Sequence, residues 1–207
     1  MRRIKPVSDN TDKQNSYREY LRRYNKAMQE GFYLEAILID YAIIEDRLRS
    51  FIYHLGLLNT KDSYKADGTK AKKCLKGIIS DYKLNGENDH FNINSITGKI
   101  KIIRCTLLWA EQESFNSDDR YLKILRDQYD RYLDVDGLLD TLSEIDDWRD
   151  YRNEVIHSLF NKNTYSLNEE ISVQAERGMQ LARFVDNQVK CLKKGNRIRK
   201  SINLSNQ

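Results

Sequence analysis

Apolar residues recur at alternating steps of three and four through most of the chain, the spacing of helices that bury one face. The strongest run lies between Phe32 and Leu55, where Leu34, Ile37, Tyr41, Ile44, Leu48, Phe51 and Leu55 form the stripe and Leu38, Ala42 and Ile52 widen it. It predicts a central buried helix that stops at Gly56. A weaker stripe of Tyr17, Tyr20, Leu21 and Tyr24 predicts a helix over 16–29, before Gly31. Shorter helices are expected over 70–82, 95–109 and 118–132, with loops at 59–68 and 85–94, where Asn, Asp, Gly and Ser gather. A long helix over 136–160 should turn Leu139, Leu142, Ile145, Tyr151, Val155 and Leu159 inward. The last should open on a Ser166/Glu169 capping box and run Ile171, Ala175, Met179, Ala182, Val185, Val189 and Leu192 to a stop at Gly195. The pattern predicts an all-α bundle of about five to seven helices with long central antiparallel members, folded as one domain over 1–207. Residues 1–14 and 196–207 are expected to be frayed or flexible tails.

Composition supports this reading. With one proline and nine glycines, long stretches hold no helix breaker, and turn clusters are too sparse for a β-sandwich. At 40% apolar and 32% charged residues, the chain has enough to build a core. Cys74, Cys105 and Cys191 are odd in number and widely spaced, so reduced thiols in a cytoplasmic protein are expected. No apolar segment approaches the roughly 20 residues needed to cross a bilayer, and no membrane association is expected.

The net charge of +4 hides a division. Thirteen acids against five bases lie between Glu111 and Asp150, a segment that could dock a basic protein or form a solvated face. Two basic clusters stand apart from it: Lys65, Lys70, Lys72, Lys73 and Lys76, then Lys190, Lys193, Lys194, Arg197, Arg199 and Lys200. Such clusters neutralise phosphates, or are simply solvated helix ends.

One stretch concentrates chemistry. Arg152, Asn153 and His157 fall within two turns of the long helix over 136–160, with Asn153 and His157 four apart on one face. An imidazole titrates near neutrality and can move the proton of a 2′-hydroxyl or of a leaving group, while a guanidinium offers a permanent charged fork to a strained phosphate. This combination suits phosphodiester cleavage. Arg-Asn-x-x-x-His should arise by chance roughly 0.02 times in a chain of this composition, so the asparagine carries the signal. Arg49 and His54 share the arginine-to-histidine gap without it, and read as a chance pair on a core helix.

At Arg152, Asn153 and His157 the sequence resembles the HEPN (higher eukaryotes and prokaryotes nucleotide-binding) superfamily. The resemblance implies an all-helical, HEPN-like bundle, a homodimer that brings two motifs into one cleft, and metal-independent endoribonuclease activity on an RNA substrate without a cofactor. Toxin–antitoxin or phage-defence settings are common in the family, so an antitoxin or another regulatory protein is an expected partner. Arg152 and His157 would be catalytic and Asn153 supporting. A polar residue from an earlier helix is also implied, for which Glu45 and then Asp46 are the candidates. Ser158-Leu159-Phe160 lacks the tyrosine two beyond the histidine that one regulated subgroup carries.

Two other readings compete. Glu154-Val155-Ile156-His157 has the Glu-x-x-His form of di-iron bundles, but the only other such run, Glu87 to His90, sits in a loop signature where the ligands would not share a helix face. No metal is therefore expected. A non-catalytic, dimeric HEPN-like module that binds protein or nucleotide would keep the motif as scaffolding, with Arg152 paired to Asp147 or Asp150.

Overall fold

Every periodic segment is a helix, and no strand occurs among the described residues. The computed structural model describes Ile4 and residues 11–60, 65–112, 118–158 and 164–203, leaving aside the side chains of Ser158, of 164–169 and of Asn203. Seven helices of 13 to 30 residues follow one another: α1 (Thr11–Glu30), α2 (Tyr33–His54), α3 (Thr69–Tyr82), α4 (Ile96–Ala110), α5 (Arg120–Tyr132), α6 (Val135–Ser158) and α7 (Thr164–Lys193). A 3₁₀ turn at Lys194–Asn196 leads into the short α8 (Arg197–Asn203). None of the described helices is long and apolar enough to cross a membrane. The chain divides into two compact units, Met1–Arg47 with Ser143–Asp186 and Leu48–Leu142 with Asn187–Gln207.

In the first unit, Gly31, at φ 77°, reverses the chain, so α1 and α2 are antiparallel and Lys13 and Tyr17 reach Asp46. α6 and α7 are also antiparallel, since Glu144 meets Arg177 while the Trp148 indole donates to the Gln174 carbonyl at 2.8 Å. α2 and α7 run parallel, with Asp40 beside Gly178 and Arg47 beside Asp186. The core closes on Ile37, Ile44, Ile145, Trp148, Val155, Ala175 and Met179, all at most 3% exposed. Arg47 is fully buried, pairs with Asp46 and Asp186, and lies 4.9 Å over the Tyr17 ring. Burial alone would raise the Asp46 carboxyl, but Arg47, Lys13 and the Tyr17 hydroxyl outweigh it and hold the group below its ordinary range.

Gly178 is needed where it stands, because a Cβ there would lie 2.6 Å from Trp148 Cζ2 and 2.9 Å from Asp40 Oδ2. Gly178→Ala should therefore lower unfolding free energy by about 1–3 kcal/mol, despite the roughly 1 kcal/mol by which alanine favours a helix. The urea midpoint reads this, and a midpoint at or above that of wild type would contradict the close packing.

In the second unit, α5 starts on an Asp119 cap that accepts from the Tyr121 amide at 2.7 Å, and the buried Tyr121 hydroxyl donates to the Leu55 carbonyl at 2.9 Å. Gln128 Nε2 donates to the Cys191 and Lys194 carbonyls at 3.3 and 3.1 Å, satisfying acceptors that the end of α7 leaves open. Residues 197–203, expected as a tail, are helical. Ile198 is 2% exposed, and Arg199 donates to the Tyr53 and Leu58 carbonyls at 2.8 Å each, which ties α8 down.

Three details depart from the expected pattern. On α2, Leu38 and Ala42 are exposed, while Ala36, Ile39 and Ile43 are buried. On α6, Leu138 and Trp148 are buried where Leu139 and Tyr151 were expected, and those two are half-buried. Helix α7 already begins at Thr164, so Ser166 lies inside it; the side chains of the expected capping box lie outside those described, as do Leu159 and Phe160.

Candidate functional site

The motif occupies the last two turns of α6, in the first unit. Val155, 1% exposed, anchors this stretch, and the residues around it fan outward: Arg152 and Asn153 are half-buried, Glu154 and His157 exposed. At 3.6 residues per turn, Arg152 and His157 project about 140° apart, and Asn153 stands between them, about 40° from His157.

The side chain of Arg152 spans part of that gap. Its Nη1 donates to Asn153 Oδ1 at 2.6 Å, drawing the guanidinium toward the Asn153/His157 side of the helix. The Tyr41 ring of α2 lies under it, with the guanidinium carbon 4.0 Å from the ring centroid. A cation–π contact of this kind restrains the guanidinium without neutralising its charge. Arg152 Nε is buried without a hydrogen-bond partner among the described residues. No carboxylate among the described residues pairs with Arg152. Asp150, a candidate partner by sequence, is taken by Arg149, which binds it at 2.8 Å and Asp146 at 2.6 Å.

Glu45 lies one turn beyond Tyr41 on α2, half-buried, and so belongs to the stripe that carries the platform for Arg152. Asp46 is committed elsewhere, to Lys13, Tyr17 and Arg47. Sequence reasoning took Tyr41 only as a core residue; the signal available was an aromatic ring one turn ahead of a carboxylate on an otherwise apolar stripe. It also passed over Asp40, which is fully buried with neither carboxyl oxygen hydrogen-bonded among the described residues.

The Arg49/His54 pair differs from the motif in exposure. His54 is 4% exposed, edge-on to Tyr53, whereas His157 faces solvent. Of the Glu-x-x-His pairs, Glu87 is bound by Arg104 at 2.6 Å and accepts from the Leu84 amide at 2.8 Å. Among the described residues no group of three or more His, Cys, Asp or Glu is placed to hold a metal ion.

No family model, curated protein or solved structure matches this chain.

Proposed function

We propose that this protein is a metal-independent endoribonuclease of the HEPN type, acting as a homodimer in which two copies of the α6 motif face one cleft. The observation that carries the reading is the Arg152 guanidinium, set over the Tyr41 ring and bonded to the neutral Asn153 rather than to a carboxylate among the described residues, with an exposed imidazole one turn beyond Asn153. A guanidinium so held can bind a phosphate without first breaking an ion pair. In the reaction His157 accepts the proton of a 2′-hydroxyl. The 2′-oxygen attacks the adjacent phosphorus, and Arg152 stabilises the charge that builds on the non-bridging oxygens. The 5′-oxygen leaves with a proton from an imidazole, supplied in the dimer by the partner's motif. Asn153 orients the fork. A toxin or phage-defence effector held in check by a regulatory protein is the biological setting this reading favours.

Incubating the protein with end-labelled RNA in excess EDTA tests it: cutting is expected, and intact RNA would refute it. Arg152→Lys should cut about 100-fold more slowly, because a point charge cannot reproduce a planar fork. Tyr41→Leu, which removes the platform, should cost about fivefold. Unchanged rates in both variants would leave the stacked guanidinium with a structural role, as in a module that only binds.

A further inference from the structure

In the second unit a groove of about 860 Å³ opens between α3 and the loop before α4, lined by Lys65, Lys72, Lys73 and Lys76 on one side and by His90 and Phe91 on the other. Thr69, Lys72, Lys73 and Lys76 are spaced at three, four and seven, which puts them on one face of α3. All four lysines of the groove are exposed, and among the described residues none is paired with a carboxylate. Lys72 and Lys76 are one turn apart, about 6 Å along the helix axis, close to the separation of successive phosphates in an extended strand. The Lys72 ammonium lies over one face of the half-exposed Phe91 ring, 5.7 Å from its centroid, so an aromatic ring and positive charge share the groove.

The opposite wall is built with some care. Lys101, 5% exposed, reaches up from α4 and donates to the Asn88 and His90 carbonyls at 2.8 Å each and to Asn88 Oδ1 at 3.2 Å. Ser95 caps α4 by accepting from the Gly98 amide at 3.0 Å, and a Cβ on Gly98 would lie 2.2 Å from the Asn92 carbonyl oxygen, so only glycine lets the loop lie this close. Asp89, the one carboxylate among the described residues that line the groove, is paired with Lys83. Lys83 and Lys101 are thus spent on the loop, whereas Lys72, Lys73 and Lys76 have no carboxylate partner among the described residues.

We infer that this groove binds single-stranded nucleic acid, with a base stacked on Phe91 and successive phosphates on the α3 lysines. Aromatic faces accept any base, and unpaired lysines recognise the backbone without reading sequence, so the groove takes strands of varied sequence. Binding in this groove requires no cleavage by His157.

Fluorescence anisotropy with a labelled 12-nucleotide oligouridylate and the matching oligothymidylate, in EDTA and on a His157→Ala background, measures affinity against salt. Changing Lys72, Lys73 and Lys76 together to Gln should weaken binding at least 10-fold and reduce the slope of log affinity against log salt by about 2. The same three positions changed to Arg should keep both. Phe91→Ala should weaken binding about 10-fold with the slope unchanged, and Phe91→Tyr should restore it. Loss on both strands, or on the RNA alone, supports the groove. Unchanged affinity and slope in the Gln variant overturn the inference, as does a Gln variant that loses only its attachment to vesicles containing anionic lipid.

Discussion

His157→Ala protein should leave labelled RNA intact over the period in which wild type consumes it, a loss of at least about 100-fold in single-turnover rate, while melting within about 2 °C of wild type. The two halves of this result rest on one placement. His157 is exposed on the final turn of α6 and makes no hydrogen bond among the described residues, so truncating it removes little packing. A residue with so little to hold in place is a poor candidate for scaffolding and a good one for proton transfer. Thermal denaturation and cleavage must be read on the same preparation. A drop of many degrees would assign the imidazole to holding the helix end, and an unchanged rate would remove it from the chemistry.

Asp40→Asn should raise the melting temperature by at least about 4 °C near pH 8, given roughly 2–4 °C per kcal/mol for a chain of this size, and should make little difference near pH 4. Burial pushes the Asp40 carboxyl up from 3.8 to about 9 against the opposing pull of the Arg183 guanidinium. Between those two values the native chain retains a proton that the unfolded chain has released, so wild-type stability falls as pH rises from about 4 to about 9. Asparagine cannot ionise in either state, so the variant lacks this slope. It fills nearly the same space beside Trp148 and Gly178. Denaturation across that range measures the effect, and an equal gap at both ends would trace the cost to unmade hydrogen bonds rather than to the charge.

Helix positions were legible because burial on one face writes a 3.6-residue period into the sequence, and the α7 stripe from Ile171 to Leu192 is buried at every expected position. The α2 stripe was less legible. Its buried set includes Ala36, Ile39 and Ile43 as well as Ile37 and Ile44, and also Asp40 and Arg47. A helix packed on several sides buries more than one stripe, and periodicity then no longer says on which side the face widens. Nor could spacing show that α2 and α7 run parallel, because that depends on pairs such as Arg47 with Asp186, 139 positions apart. At the site, spacing placed Arg152, Asn153 and His157 on one helix. The Tyr41 platform and the capture of Asp150 by Arg149 are tertiary and rotameric facts with no sequence period. Exposure is what separates His157 from His54, and no motif encodes it.

The chemistry of the cut ends tests the account most directly. Wild-type protein in EDTA should produce fragments ending in a 2′,3′-cyclic phosphate and a 5′-hydroxyl, and an RNA with a single 2′-deoxy residue at the cleaved position should resist cutting there. Fragments with 5′-phosphate and 3′-hydroxyl ends, or cutting that continues past the 2′-deoxy residue, would contradict a reaction in which His157 draws its nucleophile from the substrate's own ribose.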